Sequence, residues 1–146
     1  MQKIESDFLA IDRKDRVHIP FQELENRPVA ERLHDFEDVV IAFSEDIARY
    51  QASRCIHCPD PAPCMVACPT HNDIPSAMWL IESGQYLEAA QLYRQTSSLP
   101  EICGRVCPHE QLCQGSCVLN KTEEPVLTGL LEAFAVGYER EHAGVV

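Results

Sequence analysis

Long apolar runs are missing from this sequence. The longest, such as Val39 to Phe43, fall far short of the roughly 20 residues that a helix needs to cross a bilayer, so no membrane span is expected. The N-terminus, MQKIESDFLAIDRKDR, scatters charges where a signal peptide would carry an apolar core, and the expected compartment is the reducing cytoplasm. Basic residues are scarce. Lys and Arg number 12 against 23 Asp and Glu, and the formal charge of -11 disfavours nucleic acid and anionic lipid while suiting a partner with a basic docking face. Strand-type alternation never persists beyond a few residues. No serine-histidine pair, paired catalytic carboxylates or phosphate loop is present, which leaves no substrate site on this chain alone. The sequence does have enough apolar residues, 45% of 146, to fold as one ordinary domain.

Helical patterns joined by proline- and glycine-rich loops fill most of the chain, and the fold class they predict is all-α. Residues 1–34 mix charges with Pro20 and Pro28 and read as an extended arm with short helical turns. From Asp35, placed as an N-cap, Phe36, Val39, Val40, Phe43, Ile47 and Tyr50 recur at helical spacing, which predicts an amphipathic helix ending near Ser53. Cys55 to Thr70, with Pro59, Pro61, Pro63 and Pro69, reads as irregular. Asp73-Ile74-Pro75 opens a helix that Gly84 stops, and a second follows from Tyr86 to about Gln95, giving a hairpin. A loop containing Pro100 and Gly104 comes next, then a last helix from Pro125 to about Arg140. Glu132 is the one charge between Val126 and Tyr138 on that otherwise apolar helix, and a lone enclosed carboxylate needs a partner such as a metal or an arginine. The expected division is an arm (1–34), a helical domain (35–142) and a tail (143–146).

All eight cysteines lie between residues 55 and 117, in two groups of four. The first is Cys55-x2-Cys58-x5-Cys64-x3-Cys68-Pro69 and the second Cys103-x3-Cys107-Pro108-x4-Cys113-x3-Cys117, nearly a mirror image. Disulfides fit poorly with a leaderless acidic chain. Structural zinc usually shows two short pairs across a longer gap, unlike the x3 spacings here. Iron-sulfur clusters fit better, because each group carries a Cys-Pro step and the first approaches the bacterial ferredoxin run C-x2-C-x2-C-x3-C-P with its third cysteine displaced. By that analogy Cys55, Cys58 and Cys64 hold one 4Fe-4S cluster while Cys68 reaches the other. The mirror symmetry then returns Cys117 to the first cluster and groups Cys107 and Cys113 with Cys68 at the second. For the remaining ligand, counting thiols offers Cys103 and the isolated charge offers Glu132. Cys113 and Cys117, four apart, are expected on one short helical turn.

The stretches SRCIHC, CMVACPTHNDIP, SLPEICGRVCPHEQLCQGSCV and EEPVLTGLLEAF resemble the N-terminal two-cluster domain of the glutamate synthase small subunit. The same domain occurs in the large subunit of NADH-dependent ferredoxin:NADP oxidoreductase and in dihydropyrimidine dehydrogenase. The resemblance spans roughly residues 30–141. It implies an α-helical ferredoxin-like domain with two 4Fe-4S clusters and crossed ligation, and it assigns a Glu or Gln of the last helix, here Glu132, to the second cluster in place of Cys103. The family's Leu-Glu-Arg-Phe becomes Leu131-Glu132-Ala133-Phe134, which removes a basic neighbour and keeps the ligand.

The function implied is electron transfer in a glutamate-synthase-like oxidoreductase complex. In the family, flavin and nicotinamide domains follow this one, and these residues contain no G-x-G-x-x-G, so FAD and NAD(P)H are expected on a flavoprotein partner. A further iron-sulfur or catalytic subunit would be a second partner. The competing class is a structural module whose clusters link oxidoreductase subunits without turning over. His57, His71 and His109 read as loop histidines rather than iron ligands, Arg54 and Arg105 as surface arginines or as cations beside a cluster, and Lys121, Glu123 and Glu124 as a solvated turn.

Overall fold

The computed structural model describes residues 11–143, and its regular elements are helical. They are α1 (Arg13–Arg16), α2 (Val29–Arg32), α3 (Glu45–Ser53), α4 (Pro63–Ala67), α5 (Ile74–Glu82), α6 (Tyr86–Arg94), α7 (Pro100–Val106) and α8 (Thr128–Ala143), with short 3-10 turns at His109–Gln111 and Val118–Lys121. Among the described residues extended pairing is limited to one bridge, between Asn26 and Val40. None of the helices is long and apolar enough to cross a membrane. The first ten residues of the expected arm and the last three of the tail lie outside the described residues.

The hairpin follows its sequence signals closely. Asp73 accepts from Ser76 N at 3.2 Å, Pro75 sits in the first turn, and α5 ends where Gly84 adopts φ +80°. There Gly84 N donates to Ile81 O and Gln85 N to Leu80 O, the paired closure that a left-handed residue after a helix permits. Ala77, Met78 and Ile81 of α5, Ala89, Ala90 and Tyr93 of α6, and Leu131, Ala135 and Val136 of α8 form the core, joined by Ala48 and Ala52 of α3. The many alanines let the helices approach closely. Tyr86 fills the wider end, edge-on to Phe134 and Tyr138 at 5.1 and 4.8 Å.

Three readings of the sequence need correction. No helix begins at Asp35; Ser44 is the cap of α3, accepting from Ile47 N, while Asp35 instead pairs through both oxygens with Arg27 and caps Glu37 N. Residues before Ser44 run extended because the arm satisfies their backbone, with Arg27 N donating to Val39 O and Ile41 N to Glu25 O. Pro63 and Pro100 start helices, α4 and α7, in stretches that read as loops, since proline is well placed in a first turn, where the backbone N–H has no helical partner. Gly104 serves packing. A Cβ there would lie 2.7 Å from Ala133 N and 2.9 Å from Gly129 O, so α7 and α8 cross backbone to backbone. The last helix starts at Thr128, three residues after Pro125.

Candidate metal centres

All eight thiols are free of disulfides, and they line two neighbouring cavities. Cys55 leaves the end of α3, Cys58 follows on a loop, Cys64 lies in the first turn of α4, and Cys117 arrives from the second cysteine group just before a 3-10 turn. These four ring a cavity of about 30 Å³ whose other walls are largely apolar, among them Ile56, Ile74, Met78, Leu119 and Val126. Arg54 anchors this corner. It is 1% exposed, donates to Pro125 O and Glu124 O at 3.0 and 2.7 Å, and lies 5.2 Å over the Phe21 ring. Of the two readings of Arg54, surface arginine or cation beside a cluster, burial removes the first: it is a buried tie between the arm, α3 and the approach to α8. Arg105 is exposed and pairs with Asp38 at 3.0 Å.

Cys68 caps the end of α4 on the far side, so that a helix of one turn sends Cys64 and Cys68 to different cavities. Cys68, Cys103, Cys107 and Cys113 share the second cavity, about 110 Å³, with Glu132 from α8. Cys113 and Cys117 do not share a helical turn; hydrogen-bonded turns separate them and they face opposite cavities. Hydroxyl groups line the second cavity as well. Thr128 Oγ1 lies 3.0 Å from Cys113 Sγ, and Thr70 Oγ1 3.3 Å from Cys68 Sγ and 3.1 Å from Asn72 Oδ1, which also accepts from Thr96. Glu132 is 7% exposed, its Oε1 has no hydrogen-bond partner among the described residues, and burial pushes its carboxyl up to about 7. Tyr93 Oη and His109 Nε2 on the same walls are also buried without partners.

Electrostatics point the same way in both places. Burial first, and crowding by other thiols after it, push Cys55 and Cys64 up to about 12 and Cys107 up to about 11; Cys58 and Cys113 also rise. Neutral thiols and an orphaned carboxyl are what such sites hold without a cation, and a cationic centre reverses the preference to thiolate and carboxylate. Among the described residues no three His, Cys, Asp or Glu side chains converge on a point as a single ion requires. The donors stand around voids instead, and soft thiolates around a void fit an iron-sulfur cluster in chemistry and placement.

Of the expected ligands, Cys55, Cys58, Cys64 and Cys117 line the first cavity and Cys68, Cys107, Cys113 and Glu132 the second, which Cys103 lines too; a threonine in sequence gives no signal of the hydroxyl neighbours beside them. His71 is exposed, as a loop histidine should be. His57 faces Glu82 at 3.5 Å, whereas His109 is half-buried, lines the second cavity and packs against Gly129. Lys121, Glu123 and Glu124 are exposed.

A small helical domain that rings cavities with cysteine belongs to the class of iron-sulfur proteins. Residues 32–144 match the family described as dihydropyrimidine dehydrogenase domain II, 4Fe-4S cluster, and the chain belongs to that family. It is 38% identical over 98% of its length to the Glutamate synthase [NADPH] small chain of Halomonas elongata, and 42% identical over 82% to the protein of that name from Escherichia coli K12. It is 34% identical over 72% of its length to the NAD-dependent dihydropyrimidine dehydrogenase subunit PreT of Escherichia coli K12. The chain spans only 30%, 26% and 25% of these relatives. It is a 4Fe-4S electron-transfer domain of the kind found in glutamate-synthase-like oxidoreductases.

Proposed function

We propose that the chain holds two 4Fe-4S clusters and relays electrons between an FAD- and NAD(P)H-binding flavoprotein and a second redox centre. The observation that carries this reading is the partition of the cysteines, which places Cys55, Cys58, Cys64 and Cys117 around one cavity and Cys68, Cys107 and Cys113 around the other. Those sets, completed by Glu132, are the proposed ligands. Glu132 is preferred to Cys103 because its buried oxygen has no hydrogen-bond partner among the described residues, and ligation would satisfy it. The helical domain (35–142) would contain both centres, with the described part of the arm (1–34), residues 11–34, closing over the first.

Bound clusters supply one-electron carriers at potentials that the protein sets through ligands, charge and hydrogen bonds. The chain's own residues define the route. Ile74 and Thr128 line both cavities, so a shared wall adjoins the two sites. Ile56, Met78, Leu119 and Val126 exclude water from the first. The Thr128 hydroxyl, 3.0 Å from Cys113 Sγ and able to donate to a thiolate there, and the hard Glu132 carboxylate would distinguish the second electronically. Reduction of a flavin by NAD(P)H and use of the electrons elsewhere would fall to parts of the assembly beyond these residues. The relatives' printed names support a nicotinamide donor.

Two experiments test the reading. Dithionite reduction with EPR and potentiometry on the purified complex should reduce the clusters at potentials a flavin can reach; clusters that stay oxidised there would favour a structural role. Glu132→Ala should remove only one cluster. Two intact clusters in that variant would transfer the eighth position to Cys103.

A further inference from the structure

Three polar atoms on residues that wall the second cavity are buried without a hydrogen-bond partner among the described residues: Glu132 Oε1, Tyr93 Oη and His109 Nε2. Their needs differ. A buried carboxylate oxygen calls for a cation or a donor, whereas a phenol O–H calls for an acceptor. Tyr93 and Glu132 would each answer the other, yet they do not pair. Tyr93 is 2% exposed, one residue from the C-terminal end of α6, and packs in the core with Ala89 and Ala90 of the same helix. Just beyond it, Thr96 donates to Asn72 Oδ1, which also accepts from Thr70, the residue whose hydroxyl lies beside Cys68. The end of α6 is thus tied to the cavity wall, with the Tyr93 ring fixed and its hydroxyl left to what the cavity takes in. His109 Nε2 lies against Gly129, where a Cβ would come within 2.3 Å, and whether it donates depends on its tautomer. The phenol carries its proton at neutral pH.

A lone cation answers the carboxylate and leaves the phenol without an acceptor. A 4Fe-4S cluster offers iron to the one and sulfur to the other, so a single occupant satisfies both. We infer that Tyr93 donates a hydrogen bond from its Oη to a sulfur of the second cluster and raises that cluster's potential. This role rests on the iron-sulfur reading above. Adding an electron makes a cluster more negative and its sulfurs better acceptors, so a donor stabilises the reduced form more than the oxidised one. Tyr93 lines the second cavity and not the first, which confines the effect to one centre.

The test is a redox titration of the full chain, purified anaerobically, as wild type, Tyr93→Phe and Cys113→Ala. Iron and acid-labile sulfide are counted first. Dithionite then supplies one electron per cluster, with mediators present and EPR as the readout. Tyr93→Phe keeps the ring and removes only the donor. It should lower the reduction equilibrium constant of one cluster about fivefold, equivalent to ~40 mV for one electron, with iron content and the other cluster unchanged. The shifted signal should be the one that Cys113→Ala lacks. In ENDOR spectra of the reduced wild type, an exchangeable proton coupled to that cluster should be present, and Tyr93→Phe should lose it. Equal shifts in both clusters, none in either, or a shift confined to the signal that Cys113→Ala retains would overturn the hydrogen bond and leave the cluster assignment standing. Loss of iron from Tyr93→Phe would overturn it too, by giving the hydroxyl to assembly of the site. A wild-type chain without iron and sulfide overturns the reading on which this role depends.

Discussion

The two cavities have similar numbers of donors and different surroundings. The first is ringed by four thiols among mostly apolar side chains and fastened from outside by a buried Arg16–Glu82 pair. The second is roomier, has Glu132 among its donors, and places threonine hydroxyls within 3.3 Å of two of its sulfurs. Both sit against the same α4 and share Ile74 and Thr128. On the proposed two-cluster reading, this difference in surroundings would set the two potentials apart, with the Glu132 carboxylate and the Thr128 hydroxyl beside Cys113 acting at the second.

Removing a thiol should have the largest effect on this contrast. Cys64→Ala is expected to abolish one cluster and about half of the bound iron and sulfide, leaving the EPR signal of the other; loss of both would mean that the centres assemble as a unit. Glu82→Ala comes next. It leaves the buried Arg16 cation uncompensated and should cost about 3–5 kcal/mol in urea unfolding. First-cluster occupancy should fall with it. Burial alone would raise the Glu82 carboxyl, but the nearby His57 ring and the hydrogen-bonded Arg16 guanidinium outweigh it and hold the group below its ordinary value. Its contribution is therefore complete above the usual carboxylate range and is lost as pH falls through the depressed folded-state value.

Smaller effects should fall on the second cavity. Gly104→Ala puts a methyl against the Ala133 and Gly129 backbones and should cost about 1–3 kcal/mol. Because Cys103 and Cys107 ride on or beside α7 and Glu132 on α8, this variant should disturb the second cluster's spectrum before the first's. Thr128→Val removes the hydroxyl beside Cys113 at a stability cost of about 1 kcal/mol. The second cluster's potential should fall and the first's hold. A shift confined to the first would reverse the assignment of that hydroxyl.

Much of this was legible in the sequence where local chemistry decides structure. Asp73, Pro75 and Gly84 bound α5 as their capping roles require, and the lone Glu132 on an apolar helix marked a buried carboxylate. The helix read from Asp35 failed because Phe36, Val39, Val40 and Phe43 keep helical spacing while the backbone around Val40, at Val39 and Ile41, pairs with the arm; Phe36 is fully exposed. No local signal announced that pairing. Arg16 was equally silent, since a charged residue in a charged arm reads as solvated until Glu82, 66 positions away, meets it. Contacts of that separation belong to the fold, and the cysteine spacing alone could group the thiols without revealing what surrounds them.

The most direct measurement is the iron and acid-labile sulfide content of the anaerobically purified chain, taken with its EPR spectrum after reduction. The account predicts about eight of each per chain and two distinguishable reduced clusters. A chain containing zinc, or about four of each with a single signal, would contradict it.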